Sequence, residues 1–244
     1  MTSFIIPAYN EARWIGPCLE SIRAAMEKPG TAWEAIVVDD ASTDSTAQIA
    51  ERMGARVIRV ARRQVAAARN AGAREAQGEH LFFVDADTRA NEWAVGAALD
   101  ALRGGAAGGG CVFEFDRPLP LWGRILYPIG VAVARRIRLV GGCFLFCTRA
   151  AYAAAGGFSE RLYAGEDLAF IRALKRVGRF VVPAPTVVTS GRKLDVIGTG
   201  ERIRLLLKIA VGGWHVEKRD GLDFLYGKRS EQSRELEGRR SRIP

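Results

Sequence analysis

Asp85-Ala86-Asp87 follows directly on the apolar run Leu81-Phe82-Phe83-Val84. The run reads as a buried strand of a parallel sheet. The carboxyl end of such a strand is where open α/β sheets place their ligands. Side chains two apart on an extended chain point to the same side, so Asp85 and Asp87 face one site together. Two neighbouring carboxylates repel, and each favours a cation close by. Hard oxygen donors suit Mg2+ or Mn2+, ions that keep phosphate oxygens among their ligands. The chemistry is that of a metal–diphosphate site. The competing reading is that Asp85 caps a helix beginning near Asn91 or stands in a solvated turn.

The elements that must position this pair also deliver other polar groups to the same rim. Residues 2–6 form a strand that ends in Pro7-Ala8-Tyr9-Asn10-Glu11, and residues 35–38 form one that ends in Asp39-Asp40. Four aspartates at one sheet edge have no packing rationale. They suit a nucleotide whose base and ribose are held by hydrogen bonds and whose phosphates need a metal. Asp39 can accept from a uracil-type N3–H, Tyr9 can stack on or border the base, and Arg69 can pair with the base or a phosphate. Each has a structural alternative: Asp40 as a turn or capping residue, Glu11 as first-turn helix charge, Arg69 as a surface salt-bridge residue.

The first half of the chain reads as strand–helix units. Helices are expected over 11–27, from the Ser42-Thr43-Asp44 caps to 53, and over 64–77, with a third strand at 56–60. Such alternation predicts a parallel, doubly wound α/β sheet. Further on, a Gly- and Ala-rich stretch at 104–110 leads to a strand at 111–115. Residues 117–138 mix apolar and basic side chains as a helix or loop over the site. A strand at 141–148, a short helix at 150–155, a helix opened by Gly165-Glu166-Asp167 and running to 178, and a strand at 180–182 follow. No linker or repeat interrupts the chain, so one domain is expected over 1–228, with a nucleotide-binding half at about 1–104 and an acceptor-side half at about 105–228. Residues 229–244 are expected to form a charged, flexible tail.

With 244 residues, 48% of them hydrophobic, the chain can bury the core of one large domain. Its net charge of +9 favours an anionic partner. Cys18, Cys111, Cys143 and Cys147 lack a metal-ligand spacing and read as buried free thiols. No signal sequence or membrane-spanning run is visible, which predicts a cytoplasmic protein with peripheral contact at the inner membrane face at most. For that contact the candidate is a basic amphipathic helix over 203–211, with core packing as its alternative.

The segment Ser3-Phe4-Ile5-Ile6-Pro7-Ala8-Tyr9-Asn10-Glu11 resembles the opening of a family-2 glycosyltransferase of GT-A fold. Val37-Val38-Asp39-Asp40-Ala41-Ser42-Thr43-Asp44, Ala68-Arg69-Asn70-Ala71-Gly72 and Phe83-Val84-Asp85-Ala86-Asp87-Thr88 continue the pattern in order. Gly156-Gly157-Phe158-Ser159-Glu160 and Gly165-Glu166-Asp167-Leu168 resemble its acceptor-side segments. The resemblance implies a Rossmann-like, mostly parallel sheet flanked by helices, and transfer of a sugar from a nucleotide diphosphate to an acceptor hydroxyl with inversion.

Carried onto this chain, the resemblance implies that Pro7, Ala8, Tyr9, Glu11, Asp39, Arg69, Asp85 and Ala86 bind the nucleotide sugar. It makes Asp85 and Asp87 the pair that holds Mg2+ or Mn2+, with Asp87 in the more direct contact. Asp167 is the implied catalytic base, with Glu166 as the substitute. A UDP-sugar is favoured because Asp39 suits uracil, and the acceptor is a saccharide, a lipid carrier or a small metabolite. GT-A enzymes sometimes supply a third metal ligand late in the chain, which makes His215 a candidate against a packing role. Arg192 and Lys193, in a segment resembling one that follows the last core strand of some bacterial members, either meet the diphosphate or decorate a loop.

Three rival readings are weaker. A nucleotidyltransferase making nucleotide sugars needs a Gly-rich basic loop where Tyr9-Asn10-Glu11 stands. A nucleic-acid-binding protein is suggested by net charge alone, and the basic residues are scattered without interleaved aromatics, so no nucleic-acid partner is expected. A phosphoacceptor domain of the response-regulator kind is too short to account for the residues beyond 104.

Overall fold

The computed structural model describes residues 1–28, 30–119 and 121–192. In chain order the elements are β1 (Thr2–Ala8), α1 (Ile15–Glu27), β2 (Trp33–Asp40), α2 (Thr46–Arg52), β3 (Arg56–Val60), α3 (Val65–Glu75) and β4 (His80–Val84). Then come β5 (Thr88–Arg89), α4 (Glu92–Arg103), β6 (Gly108–Gly110), β7 (Val112–Phe115), α5 (Leu121–Ile137) and β8 (Phe144–Thr148). The last are α6 (Arg149–Ala155), α7 (Glu166–Val177), β9 (Phe180–Val181) and β10 (Thr186–Thr189). Expectations falling on His215, on 203–211 and on the tail from 229 lie outside the described residues. No helix among the described residues is long and apolar enough to cross a membrane.

The main sheet runs in the order β3-β2-β1-β4-β8-β6-β9, and only β8 is antiparallel to its neighbours. The central strands β1, β2, β4 and β8 are buried on both faces, which is why they read as continuous apolar runs. Alternate residues feed opposite layers. Phe4, Ile6, Phe82 and Val84 pack with α1 and α4, while Ile5, Leu81 and Phe83 pack with α3 and α7. Helix α3 is made of small residues because it lies close on the sheet: a Cβ on Gly72 would stand 2.9 Å from Val38 Cγ2.

The glycine stretch before the predicted strand at 111–115 is itself a strand of the main sheet. A Cβ on Gly108 would lie 2.6 Å from the Phe146 carbonyl oxygen, one on Gly110 2.6 Å from Val140 Cγ2, and one on Gly109 would collide with the Phe146 ring. Glycine there serves close approach, not a loop. The chain then leaves the main sheet, and β7 joins β10 and β5 in a small second sheet of order β5-β10-β7. Residues 117–138 contain a helix, α5, but its described side chains do not line the cleft below; Tyr127 packs toward Phe115 of β7 instead. The four cysteines are buried free thiols, as expected.

Candidate active site

The carboxyl ends of β1, β2 and β4 lie along one edge of the sheet. Because β8 runs the other way, its start lies at that edge too and brings Gly141, Gly142 and Cys143 there; Asp85 N–H donates to the Cys143 carbonyl at 3.0 Å. The edge opens into a cleft of about 340 Å³. Pro7, Ala8, Tyr9, Glu11, Arg69, Asp85, Ala86, Asp87, Glu166 and Asp167 all line it. Asp39 does not; it is buried beside the cleft, and its Oδ1 accepts from Ser42 N–H at 3.2 Å.

The loop after β1 is stitched to the loop after β2. Asn10, with φ of 51°, accepts from Thr43 N–H at 2.7 Å, and Glu11 N–H donates to Thr46 Oγ1 at 2.8 Å. Asp40 lines the cleft but is taken up structurally, accepting from the N–H groups of Arg62, Arg63 and Gln64 at 2.7, 2.7 and 2.8 Å. It thereby fixes the entry to α3 and holds Arg63, whose guanidinium carbon lies 3.2 Å from the Tyr9 ring centroid. Asp85 caps nothing: the helix beginning near Asn91 is capped by Asn91, whose Oδ1 accepts from Ala94 N–H at 2.9 Å.

The Ala68-Arg69-Asn70-Ala71-Gly72 segment has a physical role at each polar position. Arg69 is 2% exposed, so it is not a surface residue. It donates to Asp85 Oδ1 at 2.9 Å, to Glu166 Oε1 at 3.2 Å and to the Gly142 carbonyl at 3.0 Å. Burial alone would make Arg69 less basic, but the charges of Asp85 and Glu166 outweigh it and hold the guanidinium more firmly protonated. Asn70 pins the loop leading to α7, donating to the Phe158 carbonyl at 2.8 Å and accepting from Phe158 N–H at 2.9 Å and from Tyr152 Oη–H at 2.7 Å.

That loop ends at Gly165, whose φ of 82° starts α7 in a backbone conformation that disfavours a side chain. Glu166 and Asp167 then form the first turn, where the helix dipole favours negative charge. Burial works against it. Burial, and then the neighbouring Asp167 charge, push the Glu166 carboxyl up to about 7 despite Arg69. Burial raises Asp167 as well, with Arg69 and the N–H groups of Leu168 and Gly142 pulling the other way. Gly142 leaves room for this carboxylate, since a Cβ there would come within 2.8 Å of Asp167 Oδ2. Burial thus disfavours the charged form of both acids, and each makes the other harder to ionise.

The second sheet brings in a residue whose position the sequence left open. β10 lies beside β5, and Ser190 N–H donates to the Asp87 carbonyl at 3.1 Å. Two residues on, Arg192 Nη2 donates to Glu11 Oε1 at 2.7 Å and to Asp87 Oδ2 at 2.8 Å. Burial lowers the basicity of Arg192, but Asp87 and Glu11 overcome it and keep the cation charged. The signal was present in the sequence as Thr189-Ser190-Gly191-Arg192-Lys193. Gln64, Phe113, Phe115 and Tyr163 also line the cleft and were not singled out.

The donor set fits a divalent ion of the Mg2+ or Mn2+ kind. Asp85, Asp87 and Glu11 offer only oxygens, and their field is strong enough to add to the effect of burial in raising the nearby Cys18 thiol. The Asp87–Glu11 pair already closes around a positive group. Among the described residues no group of three or more His, Cys, Asp or Glu is placed to hold a metal ion. Such ions often take one or two carboxylates and complete their shell with water and substrate phosphates.

Residues 3–152 match the family model described as glycosyl transferase family 2. The chain is similar to the poly(ribitol-phosphate) beta-N-acetylglucosaminyltransferase TarS of Staphylococcus aureus, 35% identical over 96 residues, which cover 37% of this chain and 17% of TarS. The chain thus spans well under half the length of the curated relatives it matches. Its fold is similar to that of the S. aureus TarS 1–349 crystal structure with UDP-GlcNAc, at TM-score 0.61 and 24% identity over 78% of this chain and 58% of the other. It is also similar to the Pyrobaculum calidifontis mannosyltransferase PcManGT in complex with GDP-Man and Mn2+, at TM-score 0.65 and 23% identity over 83% and 59%. These likenesses identify the fold as GT-A.

Proposed function

The chain belongs to glycosyl transferase family 2, and from that premise we propose that it moves a sugar from a nucleotide diphosphate to an acceptor hydroxyl with inversion and with help from Mg2+ or Mn2+. The observation that carries this reading is the meeting of Glu11, Asp85, Asp87, Glu166 and Asp167 in one cleft at the carboxyl ends of the strands. Asp85 and Asp87 hold the ion together with the donor's phosphates. When bound, the ion supplies Lewis-acid stabilisation of the charge that grows on the departing diphosphate. Pro7, Ala8, Tyr9, Glu11 and Ala86 border the nucleoside; Asp39, which lies beside the cleft rather than on its lining, would have to turn a carboxylate oxygen into it to accept from a uracil N3–H.

Asp167 takes the acceptor's hydroxyl proton as the acceptor oxygen bonds to the anomeric carbon. The bond from that carbon to the diphosphate oxygen breaks, and the nucleoside diphosphate leaves. Attack from the face opposite the leaving group inverts the centre. Arg69 serves both sides of the reaction: it fixes Asp85 for the donor and holds Glu166 beside the base. The domain extends over 1–228 in this reading, with donor and acceptor halves meeting near 104. His215, as a late ligand, belongs to the same proposal.

The test is a panel of nucleotide sugars scored for thermal stabilisation and slow donor hydrolysis, with and without Mn2+. The expected result is stabilisation by a UDP-sugar that needs the ion and is lost in Asp87→Asn. Stabilisation that is indifferent to the ion and to Asp87 overturns the metal role. The absence of hydrolysis with every donor overturns the activity.

A further inference from the structure

We propose that Arg192 is a resident counter-cation at the metal-binding edge of the cleft, and that a divalent ion must expel its guanidinium from Asp87 in order to bind. The inference rests on the metal reading of Asp85 and Asp87 given above. One nitrogen of Arg192 lies 2.7 Å from Glu11 Oε1 and 2.8 Å from Asp87 Oδ2. Both acidic side chains are only 4% exposed, so solvent screens the pair little. Carboxylates packed this way are stabilised by a positive charge close by, and Arg192 supplies one from the protein itself.

Geometry makes the two cations alternatives. A Mg2+-like ion sits about 2.1 Å from its carboxylate oxygen. With Arg192 Nη2 at 2.8 Å from Asp87 Oδ2, an ion on the same oxygen stands at most about 5 Å from that nitrogen, and like charges so close repel strongly away from bulk water. The backbone carrying Arg192 is held separately: Gly191 N–H donates to Asp116 Oδ1 at 2.8 Å. The side chain can therefore leave while its anchor stays. Its guanidinium carbon lies 5.5 Å from the Trp14 ring centroid, so departure changes the surroundings of that indole. The consequence is a threshold: the ion alone binds weakly, and an ion arriving with a diphosphate, which offers the displaced guanidinium a new anionic partner, binds well.

The experiment measures Mn2+ binding to the full chain without nucleotide, by the electron paramagnetic resonance signal of free Mn2+, in wild type, Arg192→Gln and Asp87→Asn. The expected result is at least tenfold tighter binding in Arg192→Gln and loss of binding in Asp87→Asn. Binding through Asp87 in wild type that is unchanged or weaker in Arg192→Gln overturns the counter-cation role and leaves the metal reading intact. Binding indifferent to Asp87, or no binding in any of the three, overturns both. A readout in the unaltered site guards against a misfolded variant. Diamagnetic Mg2+ should change the tryptophan fluorescence of wild type, and Trp14→Phe should remove that change; if the ion binds and no Trp14-dependent change occurs, the displacement is refuted.

Discussion

Arg69 joins Asp85 to Glu166: one guanidinium donates at 2.9 Å to the aspartate after β4 and at 3.2 Å to the first residue of α7, 81 positions further along the chain. The acid after β4 and the acid that opens α7 are thus placed by a single buried cation. Its Nε makes no hydrogen bond despite burial, so the placement is stabilised by charge rather than by full satisfaction of the group.

Arg69→Met keeps most of the side-chain volume and removes the charge. Two largely buried carboxylates then lose their shared partner, which should destabilise the fold by about 3 kcal/mol. Denaturant unfolding measures the loss, and an unchanged midpoint contradicts it. Transfer activity should fall further than stability explains, because Asp85 and Glu166 lose their common reference point.

Asp167→Asn should lower kcat by about 10²- to 10⁴-fold with little change in donor affinity, as removal of a general base does. Glu166→Gln should be milder. The reverse ranking in steady-state kinetics would move the base to Glu166.

The same pair gives the protein a defined pH dependence. Glu166 releases its proton at about 4.5 when unfolded and at about 7 when folded. Between those values the folded state binds more protons, so stability present below 4.5 is lost as pH rises through 7. Unfolding midpoints at pH 5 and pH 8 should show this loss in wild type and a reduced loss in Glu166→Gln. Activity should rise across the same interval, because the base must be ionised, and the acid limb should move to lower pH in Glu166→Gln.

Asp40→Ala leaves three N–H groups at the entry to α3 without their acceptor. The expected cost is about 1–3 kcal/mol in unfolding free energy. Donor affinity should weaken in parallel, because Arg63 is released from Tyr9; an intact affinity would show that this stacked pair is not part of the donor pocket.

Much of the donor side was legible because burial on both faces writes a parallel strand as an apolar run, and the run's end marks the rim. Thus β1, β2 and β4 and the acids that follow them stood out. The sequence reading favours Asp39 over Asp40 as the ligand, whereas Asp40 lines the cleft and Asp39 does not: a strand sends neighbours to opposite faces, and the sequence does not say which one faces the cleft. The glycines of β6 did not read as a strand of their own because close packing against Phe146 leaves no side-chain pattern. β5 and β10, two and four residues long, are too short to carry a period. The Arg192–Asp87 contact joins residues 105 positions apart, and no local pattern records such a distance.

The seven-stranded sheet has a mechanical consequence. It continues without a break from β3 through antiparallel β8 to β9. Two lobes sharing one hydrogen-bonded floor cannot swing apart about a hinge. Admission of substrates and escape of products must therefore fall to the segments strung along the rim, and variants that stiffen those segments should slow turnover while leaving the floor untouched.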